Sequence, residues 1–167
     1  MLKPVSTAIL AFLLSASQVF ADRPSAASIT LKNAAGNEVT LPSKQPGVDI
    51  YLFWASWCPY CKALMPYVGE IQKDYGEEKI NILAIDVFED GEMDPAAYIE
   101  ELGFPMIAVA NGDPIAEIYS VRGTPGLMIL DGRGNLVWKR QSTDLPAGKT
   151  VAEFWAAQVR EQLDKIL

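Results

Sequence analysis

The chain is predicted to fold as an α/β protein: a mixed central sheet with helices on both faces and an N-terminal β-hairpin. Three features carry that expectation. Two apolar runs, Val48–Trp54 and residues 80–87, have the composition of strands buried on both faces. Between them lies a stretch at helical spacing. After them come two further strand-like segments around a tight turn, then a long amphipathic helix.

Taken in order, residues 29–31 and 38–41 flank Ala34-Ala35-Gly36-Asn37, a turn composition that closes a hairpin. Val48–Trp54 is the first buried strand. Leu64, Val68, Ile71 and Tyr75 then recur every three to four residues, as the apolar side of a helix does. Residues 80–87 form the second buried strand, which completes a β-α-β unit. Asp94-Pro95 starts another helix, with an N-cap acid before a proline at the first helical position. Asp113-Pro114 repeats that signal for a shorter helix. Residues 127–130 and 136–139 are antiparallel strands around Asp131-Gly132-Arg133-Gly134. The last helix opens on a capping box from Thr150 to Glu153 and is expected to bury Val151, Phe154, Trp155, Val159, Leu163 and Ile166. Phe53, Trp54, Trp138 and Trp155 are assigned to the core.

The length, 167 residues, is that of one domain, and half of the residues are apolar, enough for a sizeable core. Lys and Arg number 14 against 21 Asp and Glu, a net charge of −7, which argues against nucleic acid and anionic lipid surfaces. The absence of histidine excludes Ser-His and Cys-His catalysis and histidine metal or haem ligation. With only Cys58 and Cys61, a disulfide-stapled miniature fold is excluded as well.

Residues 1–21 read as a secretory signal: Lys3, an apolar stretch around residues 9–14, and Val19-Phe20-Ala21 with small residues where signal peptidase needs them. The apolar stretch is short for a membrane span. Residues 22–27 read as a flexible leader and 28–167 as the folded domain. The expected location is therefore periplasmic, with membrane attachment only if the signal stays uncleaved. Outside the cytosol no glutathione pool holds thiols reduced, so a thiol pair there calls for a reason.

Trp54-Ala55-Ser56-Trp57-Cys58-Pro59-Tyr60-Cys61 provides one, lying between a buried strand and a helix. At the helix start Cys58 meets unpaired backbone N–H groups and the positive end of the macrodipole, both of which favour thiolate. Cys61, one turn on, is close enough for a disulfide and more deeply placed. Cys58 would attack a client and Cys61 would resolve the mixed disulfide. Pro59 is tolerated in the first turn, where its missing N–H has no helical partner. Pro66 is expected to kink the helix. Trp57 and Tyr60 would supply an apolar rim for peptide docking. A purely structural disulfide is the weaker reading, because so short a loop constrains the unfolded chain little. A zinc site is weaker still, since two carboxylates would have to complete it. Glu89-Asp90-Gly91-Glu92-Met93-Asp94 reads as a solvated loop and lacks calcium-loop spacing.

With Trp54 and Trp57 before the cysteines and Pro66 after them, residues 28–167 resemble the thioredoxin superfamily. The hairpin, the long segment from Val87 to Ser120, and Val121-Arg122-Gly123-Thr124-Pro125 followed by Leu130-Asp131-Gly132-Arg133-Gly134 are similar to its TlpA/ResA branch. The resemblance implies an exported thiol-disulfide oxidoreductase acting on cysteines of periplasmic proteins, most often as a reductase and in several members in cytochrome c maturation. It implies a membrane thiol relay as electron donor and no cofactor beyond the Cys58–Cys61 disulfide. It also implies a cis Pro125 beside the disulfide, with Thr124 presenting main-chain groups to an extended client.

Three departures bear on mechanism. The buried acid that many thioredoxins carry six residues before the first cysteine is Leu52 here, and the Glu that ResA-like reductases carry three residues after the second is Leu64. Asp49, Glu70 and Asp86 are the substitute proton acceptors, each read as a solvated or loop carboxylate. The Pro59-Tyr60 dipeptide resembles glutaredoxins and a periplasmic isomerase-like group, and leaves open a disulfide oxidase or isomerase. A redox-inert peptide-binding module is the alternative from another class.

Overall fold

The structure, a computed structural model, describes residues 28–167 apart from Ala34, Lys44, Glu92, Ser142 and Thr143. The secretory signal and leader expected over residues 1–27 lie outside the described residues.

The N-terminal hairpin pairs β1 (Ile29–Asn33) with β2 (Glu38–Leu41). Next come β3 (Val48–Trp54), α1 (Pro59–Tyr75) and β4 (Ile80–Asp86), a parallel β-α-β unit joined residue for residue from Val48–Ile80 to Trp54–Asp86. Then follow α2 (Pro95–Glu101), β5 (Ile107–Ala110), α3 (Asp113–Ile118), β6 (Gly126–Leu130), β7 (Leu136–Lys139) and α4 (Val151–Ile166). The seven strands run in the order β2-β1-β5-β4-β3-β6-β7. β3, β4 and β5 are parallel, while β6, β7 and the hairpin are antiparallel to their neighbours.

Every residue of β3 is buried because the sheet is covered on both sides. Val48, Ile50, Leu52 and Trp54 face α1, α2 and α4, packing with Leu64, Val68, Ile99 and Val159. Tyr51 and Phe53 face the other way, toward Ile115 of α3 and Leu41 at the end of the hairpin. Three helices thus cover one face and a single short helix the other. Phe104, just past α2, lies against α1 at Gly69, where a Cβ would run into its ring. α1 continues through Pro66, which is exposed, and ends at Gly76, whose φ of 101° suits glycine.

Three sequence expectations are revised. β5 does not appear in the element order read from the sequence. Its four residues are apolar without alternation, so periodicity could not separate them from the helices on either side. Asp113 is not the N-cap of α3; Gly112 holds that position, and the Asp113 carboxylate instead accepts the Phe88 N–H at 3.0 Å. Ile166 is exposed at the fraying end of α4, and Val151, Phe154 and Trp138 are only half-buried. The capping box closes as expected, Thr150 accepting from the Glu153 N–H and Glu153 from the Thr150 N–H.

Candidate active site

Cys58 is the N-cap of α1. Its backbone is extended, with φ −85° and ψ 105°, and its Sγ accepts the Cys61 N–H at 3.2 Å. The cap places sulfur where a serine or aspartate oxygen usually sits, over the unpaired N–H groups of the first turn. Pro59 takes the first helical position, and no acidic residue in the first turn offsets the positive helix end. Cys58 and Cys61 form a disulfide with Cα atoms 5.3 Å apart. Both are buried, Cys58 at 2% exposure and Cys61 at 0%. In the reduced form, the same N–H and macrodipole would stabilise a Cys58 thiolate.

The exposed groups around the disulfide are aromatic. Trp57 is 49% and Tyr60 59% exposed, and Tyr67 and Phe88 are exposed as well. Trp57 does not hang free: its indole N–H donates to the Phe88 carbonyl at 2.8 Å. On the opposite side, antiparallel pairing of Phe53 with Gly126 brings the preceding residues, Thr124 and Pro125, level with the C-terminal end of β3. The Thr124–Pro125 peptide bond is cis, Pro125 is buried and Thr124 half-buried. The Pro125 carbonyl accepts from Arg140 Nη2.

The three carboxylates weighed as proton acceptors separate cleanly. Glu70 is exposed on α1 and paired with Lys73 at 3.0 Å. Asp49 is a correction: it is not solvated but 3% exposed in β3, accepting the Ser43 N–H at 2.7 Å and an Asn81 Nδ2 proton at 3.0 Å. Burial raises its pKa, opposed by those two hydrogen bonds. It alternates with Ile50 and so points away from the sheet face that holds the cysteines. Asp86 is a second correction. It is half-buried at the end of β4, level with Trp54, and shares that residue's cavity. Burial first, then the Glu89 and Asp113 carboxylates, push its pKa up to about 6 despite an opposing Asn111 backbone hydrogen bond. Leu52 and Leu64, at the two usual acid positions, are fully buried among apolar side chains.

Glu89 is the residue that sequence reasoning missed. Its Oε1 accepts the Ser56 N–H at 2.8 Å, and its Oε2 accepts the Ser56 hydroxyl. Ser56 is buried two residues before Cys58, so the loop after β4 clamps the turn that leads into α1. In sequence Glu89 belongs to an acidic run that looks solvated. Only the pairing of β3 with β4 brings it to Ser56, and no local signal could have revealed that.

The AhpC/TSA family matches residues 24–139. The chain is 31% identical over 142 residues to the thiol:disulfide interchange protein DsbE homolog of Paracoccus denitrificans, covering 78% of this chain and 72% of that one. It is 32% identical over 96 residues to the thiol-disulfide oxidoreductase ResA of Bacillus cereus, covering 56% of this chain and little more than half, 54%, of the relative. Among solved structures, a protein from Sinorhizobium meliloti superposes with a TM-score of 0.70 at 22% identity, over 85% of this chain and 81% of that one. The thioredoxin domain of a thiol-disulfide oxidoreductase from Bacteroides vulgatus superposes with a TM-score of 0.63 at 20% identity, over 82% and 96%. These two likenesses speak to the fold, which is thioredoxin-like.

Proposed function

This chain belongs to the AhpC/TSA family, as a thioredoxin-like thiol-disulfide oxidoreductase, and from that premise we propose that it is an exported reductase of protein disulfides. The Cys58–Cys61 disulfide at the mouth of α1, with the Cys61 N–H on the Cys58 sulfur, is the observation that carries this reading.

In the proposed cycle the dithiol form acts first. The Cys58 thiolate attacks one sulfur of a client disulfide, forming a mixed disulfide and releasing the other client sulfur as thiolate. Cys61 then loses its proton and attacks Cys58, which frees the second client thiol and closes the Cys58–Cys61 bond. Two electrons pass to the client, and a dithiol donor returns the pair to its reduced state; the family resemblance favours a membrane thiol relay in this role. Thr124 offers main-chain groups to the client as an added strand. Trp57 and Tyr60 furnish the apolar contact beside it. The relatives named DsbE and ResA support thiol-disulfide exchange, while the reductase direction and a place in cytochrome c maturation rest on the TlpA/ResA resemblance.

Trapping and potentiometry test this. Cys61→Ser should accumulate mixed disulfides through Cys58, because the resolving thiol is gone, and recovery of none from a periplasmic extract would sink the reading. The couple should equilibrate near the thioredoxin value of about −270 mV; a value near about −120 to −180 mV would instead assign an oxidase or isomerase. Tyr60→Pro should move that potential if the dipeptide sets it.

A further inference from the structure

A cavity of about 410 Å³ opens on the far side of Pro125 from the hairpin, between the loop before β6 and the start of α4. Among the described residues Arg122, Lys139 and Arg140 line it and no acidic residue does, in a chain whose net charge is −7. Its donors are only partly satisfied. Lys139 Nζ donates to the Tyr119 and Ser120 carbonyls at 2.7 and 3.2 Å, and Arg140 Nη2 donates to the Pro125 carbonyl. The Arg140 guanidinium lies 4.4 Å from the centre of the Trp155 ring. Arg140 Nε and Trp155 Nε1, by contrast, are buried and have no hydrogen-bond partner among the described residues, and Trp155 is only 4% exposed. A buried donor without an acceptor costs about 1–3 kcal/mol, so an acceptor that reaches either nitrogen recovers that cost.

We propose that this cavity binds a carboxylate carried by the client polypeptide, seated on Arg140 and Trp155 with Arg122 at the entrance, so that clients with acidic residues flanking the target cysteine are preferred. Three cations and two orphan donors ask for an anion. A guanidinium edge suits a planar carboxylate, and the position against Thr124–Pro125 puts that anion on the strand proposed to dock there. Burial lowers the pKa of Arg140, and a bound anion would offset that penalty. The proposal rests on the oxidoreductase reading and specifies its substrate.

The test uses blocked peptides with one internal disulfide, identical except for Asp or Asn two residues before and after the first cysteine. Each rate of reduction by the dithiol protein is divided by the rate with dithiothreitol. The Asp peptide should react at least about tenfold faster at low salt, equivalent to about 1.4 kcal/mol, and the advantage should shrink with added salt. A protein of this net charge would otherwise repel it. A neutral peptide with a free C-terminus separates a side-chain carboxylate from a terminal one. Arg140→Gln and Arg122→Gln should bring the ratio toward one, with Arg140→Lys in between. Titration of the intact protein with the Asp peptide, its cysteines replaced by serine, should shift the Trp155 indole N–H resonance, and the Asn peptide should not. Equal rates with both peptides, or an unmoved indole resonance, would overturn the proposal and leave the oxidoreductase reading standing. Failure of both peptides to react would remove both readings.

Discussion

The segments on the two sides of β3 are secured with opposite charges. On the β4–β5 side, carboxylates secure backbone N–H groups: Glu89 takes that of Ser56, and Asp113 that of Phe88. On the β6–β7 side, cations secure carbonyls: Arg140 takes that of Pro125, and Lys139 those of Tyr119 and Ser120. A chain leaving a sheet exposes both kinds of backbone group, and each side is served by side chains of the matching charge. The two sides differ in what is left over. Both Glu89 oxygens have partners, whereas Arg140 Nε and Trp155 Nε1 do not. Among the described residues, the acidic brace leaves one buried donor of its own unpaired, Trp54 Nε1 in the cavity beside Asp86. There the neighbouring charge is negative, whereas the unpaired donors of the other side stand among cations.

Breaking the brace should have the largest effect. Glu89→Ala orphans two donors on buried Ser56, and hydrogen bonds to charged groups are worth about 1.5–3 kcal/mol each. We expect a loss of about 2–4 kcal/mol in urea unfolding, together with a shift in Cys58 reactivity. An unfolding midpoint within error of the parent protein's would mean that the two sides are equally loose.

Asp86→Asn probes the strain carried by the acidic side. The native carboxyl titrates at about 6 against 3.8 unfolded, so the folded state holds its proton more tightly. The contribution of this carboxyl to stability is therefore greatest below about pH 4, falls as pH rises to 6, and stays reduced above that. Asn should remove the part of the slope that Asp86 contributes and stabilise the protein at pH 7 by about 1–2 kcal/mol, a figure discounted for partial exposure. A slope left unchanged by the substitution would place the titration elsewhere.

On the basic side, Arg140→Met keeps the contact with Trp155 but abandons the Pro125 carbonyl. A loss of about 1 kcal/mol is expected from one hydrogen bond. Lys139→Gln should cost only a few tenths of a kcal/mol, since Lys139 is partly exposed and acts at the edge of the sheet. If Lys139 proved more costly than Glu89, the distinction between brace and open pocket would be lost.

Much of this was legible from local pattern. Val48–Trp54 announced a buried strand by composition alone, Thr150 and Glu153 announced the last helix by their capping spacing, and a CxxC between strand and helix announced the site. β5 was not legible, because four apolar residues have no period of their own. Ile166 was misread because helical spacing says which side an apolar residue occupies, but not how far the covering sheet extends.

The sequence by itself determined the elements whose signals are local: strand composition, helix caps, the cysteine pair and its place at a helix start. Only the tertiary structure decided what each charge does. Asp49 and Asp86 are both strand carboxylates in an acidic chain. Whether one is buried away from the cysteines and the other is raised to about 6 beside Trp54 depends on which strand neighbours which. Glu89 and Arg140 read as surface charges until β3 receives β4 on one side and β6 on the other. Caps and runs act over a turn or a strand, whereas desolvation and long-range hydrogen bonds exist only once distant segments meet.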